Sequence, residues 1–448
     1  MKVVIIGAVA AGSKCAAKLK RDNPNFEVEI YTEEDKVSYS ACGMPYFIEG
    51  IVKYEDLTAR TPEEFEKNGI KIFLKHKVTE ILRREKKIRV LNKDNNLTVK
   101  YDKLVIATGA SPIIPPIKNV NAQNVFTLRT LEDAKNIREI MQKSKTATII
   151  GGGYIGIELL EAFVKNGLKV NLIEFAPQIL PVFDFEIAEL IKAHILKKDG
   201  ENVNIITSDG VVEFLLENGI AKKIITQKGV EFETDFAVIC AGVRPNSELA
   251  RASGLELGIK NTIKVNEFMQ TSDPDIYAAG DCAEKTNVIT KKPVWVPMGS
   301  TANKEGRTTA LTISGKNEPF EGILGSAVTK YFDFTIAMTG LTQKEAEQNC
   351  QNVITATITK NDIVAFMPNA KSITIKIVAC KDNGKILGAQ AIGCGDALQR
   401  INSVSALLQA KGTVFDLLNL DLPYAPPYSP TIDPLLSAAQ IIFNKIQK

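Results

Sequence analysis

Two stretches of this 448-residue chain repeat one pattern, and that repeat leaves few folds open. Residues 3–12 read VVIIGAVAAG and residues 147–156 read ATIIGGGYIG, each an apolar run that breaks into a glycine turn. A short apolar run bounded by glycine reads as a buried strand. Each turn is followed by a helical pattern, a second strand and an acidic residue, so the chain reads as β-α-β twice over. Strands and helices keep alternating to about Ala310, which predicts a doubly wound α/β architecture. After about Gly322 the pattern changes. AVTKYFDFTIAMTG, SITIKIVAC and KILGAQAIG read as antiparallel strands, and two helical segments finish the chain. The expected division is a discontinuous domain of residues 1–112 and 243–322, an inserted domain of residues 113–242, and an α+β domain of residues 323–448.

The start MKVVIIGAVAAGS has the positive residue, apolar run and small residues of a cleaved leader. It runs on into an amphipathic stretch (residues 13–20), the strand VEIYT and then Glu33 and Glu34, so the segment is expected to be the first strand of the fold. No apolar run approaches the roughly 18 residues that a membrane span needs. With 55 basic and 52 acidic residues the net charge is +3, which gives no electrostatic footprint for nucleic acid. Seven cysteines at irregular spacings show neither a zinc pattern nor a disulfide framework, so a reducing, cytoplasmic setting is expected. Only two histidines occur, His76 and His194.

The second turn holds Gly151, Gly153 and Gly156 in GxGxxG spacing, and Glu174 lies 23 residues after Gly151. Residues without a Cβ let helix N–H groups approach a pyrophosphate, while the helix N-terminus supplies positive potential. Set between a strand and a helix and followed by an acid, this motif is a dinucleotide fingerprint. Glu174 accepts from a ribose 2′-OH and repels a 2′-phosphate. Phe175 and Ala176 come next with no arginine, so NADH is the expected nucleotide. The first turn is less regular. Gly7 and Gly12 are in place, but Val9 stands where the middle glycine belongs, and Thr32, with Glu33 beside it, stands near the usual acid. Two distant segments, YDKLVIATGASP (101–112) and DIYAAGDCA (275–283), are also strands ending in small, glycine-bearing turns. Asp281 in the second is suited to accept from a flavin's ribityl hydroxyls.

GAVAAG, ATGASP, GGGYIG, CAGVRPN (240–246) and AAGD succeed one another in an order that resembles the flavoprotein pyridine nucleotide–disulfide oxidoreductases over essentially the whole chain. The resemblance implies two Rossmann-like units, FAD on the first and NADH on the second, with a C-terminal domain that forms a homodimer. It implies FAD contacts at Gly7, Ala10, Ala11, Gly12, Glu33, Thr108, Gly109 and Asp281. It implies NADH contacts at Gly151, Gly153, Ile155, Gly156 and Glu174, with Tyr154 gating the nicotinamide pocket and Glu158 close behind. Gly242 is a further expected cofactor contact.

The stretch SYSACGMPYF (38–47) is similar to the single-cysteine branch of that family, which contains coenzyme A disulfide reductases, persulfide reductases, NADH oxidases and NADH peroxidases. The next cysteine is Cys240, so Cys42 has no nearby partner thiol. It lies where the chain enters a helix, and helix N–H groups together with a flavin are expected to favour its reactive thiolate. With no second thiol, its oxidised form is a sulfenic acid, a persulfide or a mixed disulfide. Cys42 is the expected catalytic residue.

Oxidases and peroxidases of the branch carry a histidine in the first glycine turn, where this chain has Ala10. Disulfide and persulfide reductases instead bring tyrosines from the partner subunit, one of them in a YAPP stretch. Here LPYAPPYSP offers Tyr424 and Tyr428, whose hydroxyls suit protonation of a departing thiolate. Against this, AFMPNA places Phe366 and Met367 where a second tyrosine is usual, which is closer to the oxidases. Lys14, Lys18 and Arg21, at i, i+4 and i+7 of the first helix, are expected to share a face suited to coenzyme A phosphates. The expected activity is hydride transfer from NADH through FAD to Cys42, which reduces coenzyme A disulfide, a persulfide or a related small sulfur acceptor. The alternatives are an NADH oxidase or peroxidase acting on oxygen or hydrogen peroxide and, in another class, a redox sensor or a reductase component serving an electron-carrier protein.

Overall fold

The computed structural model describes residues 1–93 and 95–447; Asp94 and Lys448 lie outside the described residues. Its first sheet is fully parallel, with strands Ile276–Ala278, Lys103–Ile106, β1 (Lys2–Ile6), β2 (Glu27–Tyr31) and Ile70–Phe73 in that order. β1 is apolar from Val3 to Ile6 because both of its faces are covered there. Val3 and Ile5 pack with Cys15, Ala16 and Leu19 of helix α1 (Ala11–Asp22), while Val4 and Ile6 pack with Val78, Ile81 and Ile88 of an antiparallel three-stranded sheet.

The second sheet repeats this plan, with parallel strands Val203–Ile206, Lys169–Ile173, Thr146–Ile150, Phe236–Ile239 and Val125–Thr127. Ala147 and Ile149 face the helices, and Ile150 faces a second antiparallel unit through Phe214 and Ile224. One two-sided design thus occurs twice, as the internal repeat predicts. The helix α2 (Met44–Glu49) packs against the helix Tyr154–Lys165, which brings the segment carrying Cys42 to the second sheet's first helix.

The C-terminal sheet is antiparallel, ordered Ala327–Tyr331, Phe334–Gly340, Ile386–Gly393, Ser372–Cys380 and Val353–Asn361. Ile373, Ile375 and Ile377 point to a core shared with closing helices. Among the described residues those helices number three, Ala397–Gln409, Val414–Leu418 and Pro434–Ile446, where the sequence pattern shows two. On the opposite face Lys376 meets Asp184 at 2.8 Å and also pairs with Glu186, and Gln390 donates to Asp184 at 2.8 Å. A polar seam therefore joins this sheet to the helix Phe185–Asp199.

One expectation needs correction. Cys350 and Cys380 form a disulfide across 30 residues of chain, with Cα atoms 6.2 Å apart. The cysteine spacing conceals it because the pair is set by the return of a strand to the loop after a helix, and not by a local motif. Among the described residues no helix is long and apolar enough to cross a membrane.

Candidate active site

The two glycine turns are built alike. Gly7 has φ +102° and Gly151 has φ +110°, a left-handed region that suits glycine. A Cβ on Gly7 would lie 2.2 Å from the Ala107 carbonyl oxygen, and one on Gly151 would lie 2.4 Å from that of Cys240. A Cβ on Gly12 or Gly156 would lie 2.0 or 2.1 Å from the carbonyl oxygen of its own turn's first glycine. At Gly153 nothing stands within 4 Å. Each turn opens a 12-residue helix with neither a side-chain cap nor an acid in its first turn. The helices starting at Pro62, Leu131, Gln343 and Val414 are all closed by capping boxes. Two uncapped helix ends, the first behind Gly7 and the second behind the glycine run 151–153, leave N–H donors free for phosphate oxygens. The residues present therefore fit dinucleotides at both places.

Acids beside the turns behave differently. Glu174 accepts from the N–H groups of Gly152 at 2.6 Å and Ala176 at 2.7 Å, which holds its carboxylate at the turn. Glu33 is exposed and pairs with Lys77 at 3.0 Å. Its neighbour Glu34 turns inward and accepts from the Tyr39 hydroxyl at 2.7 Å, with burial raising its pKa. Thr32 is buried, and its hydroxyl accepts from the Glu34 N–H.

Thr108 is clamped by Asn246: the Thr108 hydroxyl donates to the Asn246 carbonyl at 2.6 Å, and the Asn246 side-chain amide donates to the Thr108 carbonyl at 2.9 Å. Gly109 and Gly242 flank this clamp with φ of +69° and +97°. The Asp281 backbone carbonyl accepts from the Trp295 indole at 2.8 Å, and its carboxylate lies 3.9 Å from Arg129. Beneath it is a fully buried pair, Lys285 and Glu305, 3.4 Å apart. Glu305 accepts from the Gly280 N–H at 2.6 Å while Lys285 donates to the Gly280 carbonyl at 2.9 Å, so the turn before Asp281 is gripped from both sides. Burial lifts the Glu305 carboxyl to about 7 against the pull of Lys285. Sequence reasoning misses Asn246, Arg129, Trp295 and the buried pair. Only Asn246 leaves a signal, as the last residue of CAGVRPN.

Cys42 sits in a single helical turn, Ala41–Gly43, directly before α2, and is the one exposed free cysteine among the described residues. A Cβ on Gly299 would lie 3.9 Å from its Sγ, so the start of the helix Gly299–Ile313 abuts the thiol. The expected thiolate-favouring environment is not what these side chains supply. The crowding walls of the cleft raise the Cys42 pKa, and the charges of Glu158 and Asp281 add to that, while Arg129 opposes it. Glu158 accepts from Thr329 at 3.2 Å, and burial pushes its own pKa up to about 7. Cys42 thus feels the charge of a carboxylate of the second unit and of one of the first. Tyr154 packs edge-on against Phe183, with its phenol pKa raised by burial, and Ile155 is exposed.

The remaining expected residues lie elsewhere. Tyr424 and Tyr428 are exposed on the C-terminal lobe, next to the loop carrying Phe366, because Val364 donates to the Pro426 carbonyl. On α1, Lys18 is already paired with Asp22 at 2.7 Å, while Lys14 and Arg21 make no ion pair among the described residues. Ala10 and Ala11 open α1, and Ala11 touches Gly306 of the facing helix, where a Cβ would lie 2.4 Å from the Ala11 carbonyl oxygen.

Known proteins resemble this chain over its length. Residues 1–306 match the family model described as pyridine nucleotide-disulphide oxidoreductase, and residues 326–435 match that family's dimerisation domain. A Pyrococcus abyssi protein named NAD(P)H sulfur oxidoreductase (CoA-dependent) is 38% identical over 444 residues, 98% of each chain. A Methanocaldococcus jannaschii NADH oxidase is 34% identical over 452 residues, covering 100% of this chain and 99% of that one. The structure of an NAD-dependent persulfide reductase from A. fulgidus superposes with a TM-score of 0.96 at 35% identity, covering 100% of this chain and 84% of the other. With both parts of the family's architecture matched, this chain belongs to the pyridine nucleotide-disulphide oxidoreductases, enzymes that use FAD and NAD(P)H.

Proposed function

We propose that this enzyme draws on NADH to reduce a small sulfur compound, coenzyme A disulfide or a persulfide, at Cys42. The observation that carries the reading is the exposed Cys42 thiol, lying between the two nucleotide-binding units with no second free cysteine exposed beside it among the described residues. The sulfur relatives and the CoA-dependent name of one of them support the same acceptor class. Bound FAD would supply the two-electron link between the nicotinamide and the sulfur.

The chain's own residues have separable tasks in this reading. Gly7, Ala10, Ala11 and Gly12 offer the α1 N–H groups to the FAD pyrophosphate, and Asp281 accepts from the ribityl chain, its turn held rigid by Lys285 and Glu305. Thr108 and Gly109, fixed by Asn246, line the same unit. Gly151, Gly153 and Gly156 receive the NADH pyrophosphate, and Glu174, poised at the turn, accepts from the adenosine ribose. Tyr154 and Ile155 stand at the mouth where the nicotinamide end enters.

Cys42 must ionise to react. Its thiolate attacks one sulfur of the acceptor, the S–S bond breaks, and the second sulfur leaves as a thiolate that takes a proton. Cys42 is left in a mixed disulfide or persulfide; two electrons then cleave that bond, restoring the Cys42 thiolate and releasing the attacked sulfur, which takes a proton and leaves as a thiol or hydrogen sulfide. Glu158, close to neutrality in its pKa, holds a proton near the sulfur at working pH. In a homodimer, formed through the dimerisation domain, Tyr424 and Tyr428 from the second copy protonate the departing thiolate. Lys14 and Arg21 are the cations left to meet coenzyme A phosphates, since Lys18 is engaged by Asp22.

A second reading has its own observation. Phe366 is 74% exposed and offers no hydroxyl, and one relative bears the name NADH oxidase. Anaerobic NADH oxidation measured against coenzyme A disulfide, a persulfide and hydrogen peroxide, with oxygen assayed separately, decides between them. The sulfur compounds are expected to turn over fastest. Oxygen or peroxide exceeding every sulfur acceptor would make the enzyme an oxidase or peroxidase.

A further inference from the structure

Away from the redox cleft, three chemically matched side chains converge from three segments. His194 comes from the helix Phe185–Asp199, Asp333 from the turn between strands Ala327–Tyr331 and Phe334–Gly340, and Cys394 from just beyond the strand Ile386–Gly393. One ligating atom of each lies within 4.8 Å of the other two. They line an open cavity of about 570 Å³. The His194 ring is stacked on Phe334, with centroids 4.0 Å apart and planes at 21°, which fixes the imidazole. Its Nε2 is enclosed and has no hydrogen-bond partner among the described residues. An enclosed ring nitrogen without a partner is a cost that a ligand would remove.

We propose that His194, Asp333 and Cys394 form a binding site for a borderline-soft divalent cation of the zinc type, placed to clamp the second nucleotide-binding unit to the C-terminal sheet. Imidazole, thiolate and carboxylate together are a zinc-type donor set, and three protein ligands leave a fourth position open to the cavity. A tetrahedral ion holds its ligands roughly 3.3–3.8 Å apart, so the cluster needs to close by at most about 1.5 Å. Asp333 and Cys394 sit at a turn and just past a strand end, outside the strands' hydrogen-bonded ladders.

The surrounding charges set the conditions. Lys371 pairs with Asp333 at 3.4 Å, and Lys197 also lines the cavity. Both partners of the Lys371–Asp333 pair are about half exposed, and such a pair contributes little, so a cation can displace the ammonium. As the metal–sulfur bond forms, the Cys394 thiol releases its proton to solvent. A dication on one thiolate and one carboxylate is then locally neutral. Because the ion bridges three segments, it should raise the unfolding temperature of the protein that binds it.

The test uses the flavin-loaded enzyme, stripped with a chelator and dialysed against low-micromolar zinc chloride. Bound zinc per chain and the unfolding temperature are measured for the parent, Cys394→Ser and His194→Gln. The parent should hold one more zinc per chain than either variant, and only the parent should melt at a higher temperature with zinc. Magnesium, a hard cation, should give no shift. Cys42 is present in all three proteins, so any zinc on its thiol cancels in the comparison. Flavin absorbance reports that each variant is folded. Equal zinc in all three proteins, loss in Cys394→Ser alone, or an equal response to magnesium would each overturn the assignment.

Discussion

The two glycine turns share a backbone and part at the ligand. Gly7 and Gly151 accept the same strained φ, donate alike to the carbonyls of Tyr31 at 2.9 Å and Ile173 at 2.8 Å, and press on the neighbouring strand's turn. Gly12 and Gly156 admit the helix against the first glycine. The middle position differs. Gly153 faces open space, whereas Val9 carries a side chain at the corresponding point. The neighbouring acid differs as well, since Glu174 is held at its turn while Thr32 is buried and Glu33 is drawn off by Lys77. The outer glycines are therefore demanded by the chain's own packing. The middle one, and the acid, answer to the nucleotide.

This division is open to attack by substitution. Gly12→Ala and Gly156→Ala each place a Cβ about 2 Å from a backbone oxygen, so each should destabilise by about 3 kcal/mol, toward the upper end for overpacking. Lower unfolding midpoints, with flavin loss for Gly12→Ala, are the expected readings. A pair of variants that melt with the parent would show that the turns are looser than the structure has them. Gly153→Ala should leave melting and flavin content unchanged but raise the KM for NADH about tenfold, because only the ligand meets the new methyl. A large stability loss there would erase the distinction between outer and middle glycines.

Glu174→Ala should narrow the preference for NADH over NADPH several-fold, on the order of 1 kcal/mol for a lost ribose contact. Glu174→Gln keeps an acceptor at the turn and separates that contact from the charge. An unchanged ratio of kcat/KM in both variants would remove Glu174 from recognition. The smallest effect concerns pH. Glu158 is neutral below about 7 and charged above it, so its charge opposes Cys42 ionisation only on the alkaline side. Glu158→Gln should lower the apparent pKa of Cys42 and speed its alkylation a few-fold above pH 7, with little change below. A parallel shift at all pH values would assign the effect to packing instead of charge.

Legibility in the sequence divides along a similar line, between local patterns and distant pairings. GAVAAG, GGGYIG, AAGD and the lone Cys42 are local patterns, and each falls at the turn expected of it. The Lys285–Glu305 pair, the Arg129 contact with Asp281 and the Cys350–Cys380 disulfide join residues 20, 152 and 30 positions apart. No periodicity encodes such pairings, because they depend on how strands return. The charge around Cys42 escapes the sequence for a related reason. A cysteine beside a helix start reads as a thiolate, but burial in the cleft raises its pKa first of all, and Glu158 and Asp281, arriving from two other segments, add to that. Lys18 lies on the helical face expected of it, yet Asp22 on the same helix has already claimed it.

Cys42→Ser tests most directly whether Cys42 alone carries electrons from the flavin to sulfur. Serine keeps the volume and removes the thiolate, so NADH should still bleach the flavin absorbance in an anaerobic stopped-flow trace. Steady-state turnover with coenzyme A disulfide or persulfide should fall by about three orders of magnitude or more. Mass spectrometry of the parent after turnover should find Cys42 carrying coenzyme A or an added sulfur. A Cys42→Ser enzyme that reduces either acceptor at the parent's rate would contradict the account.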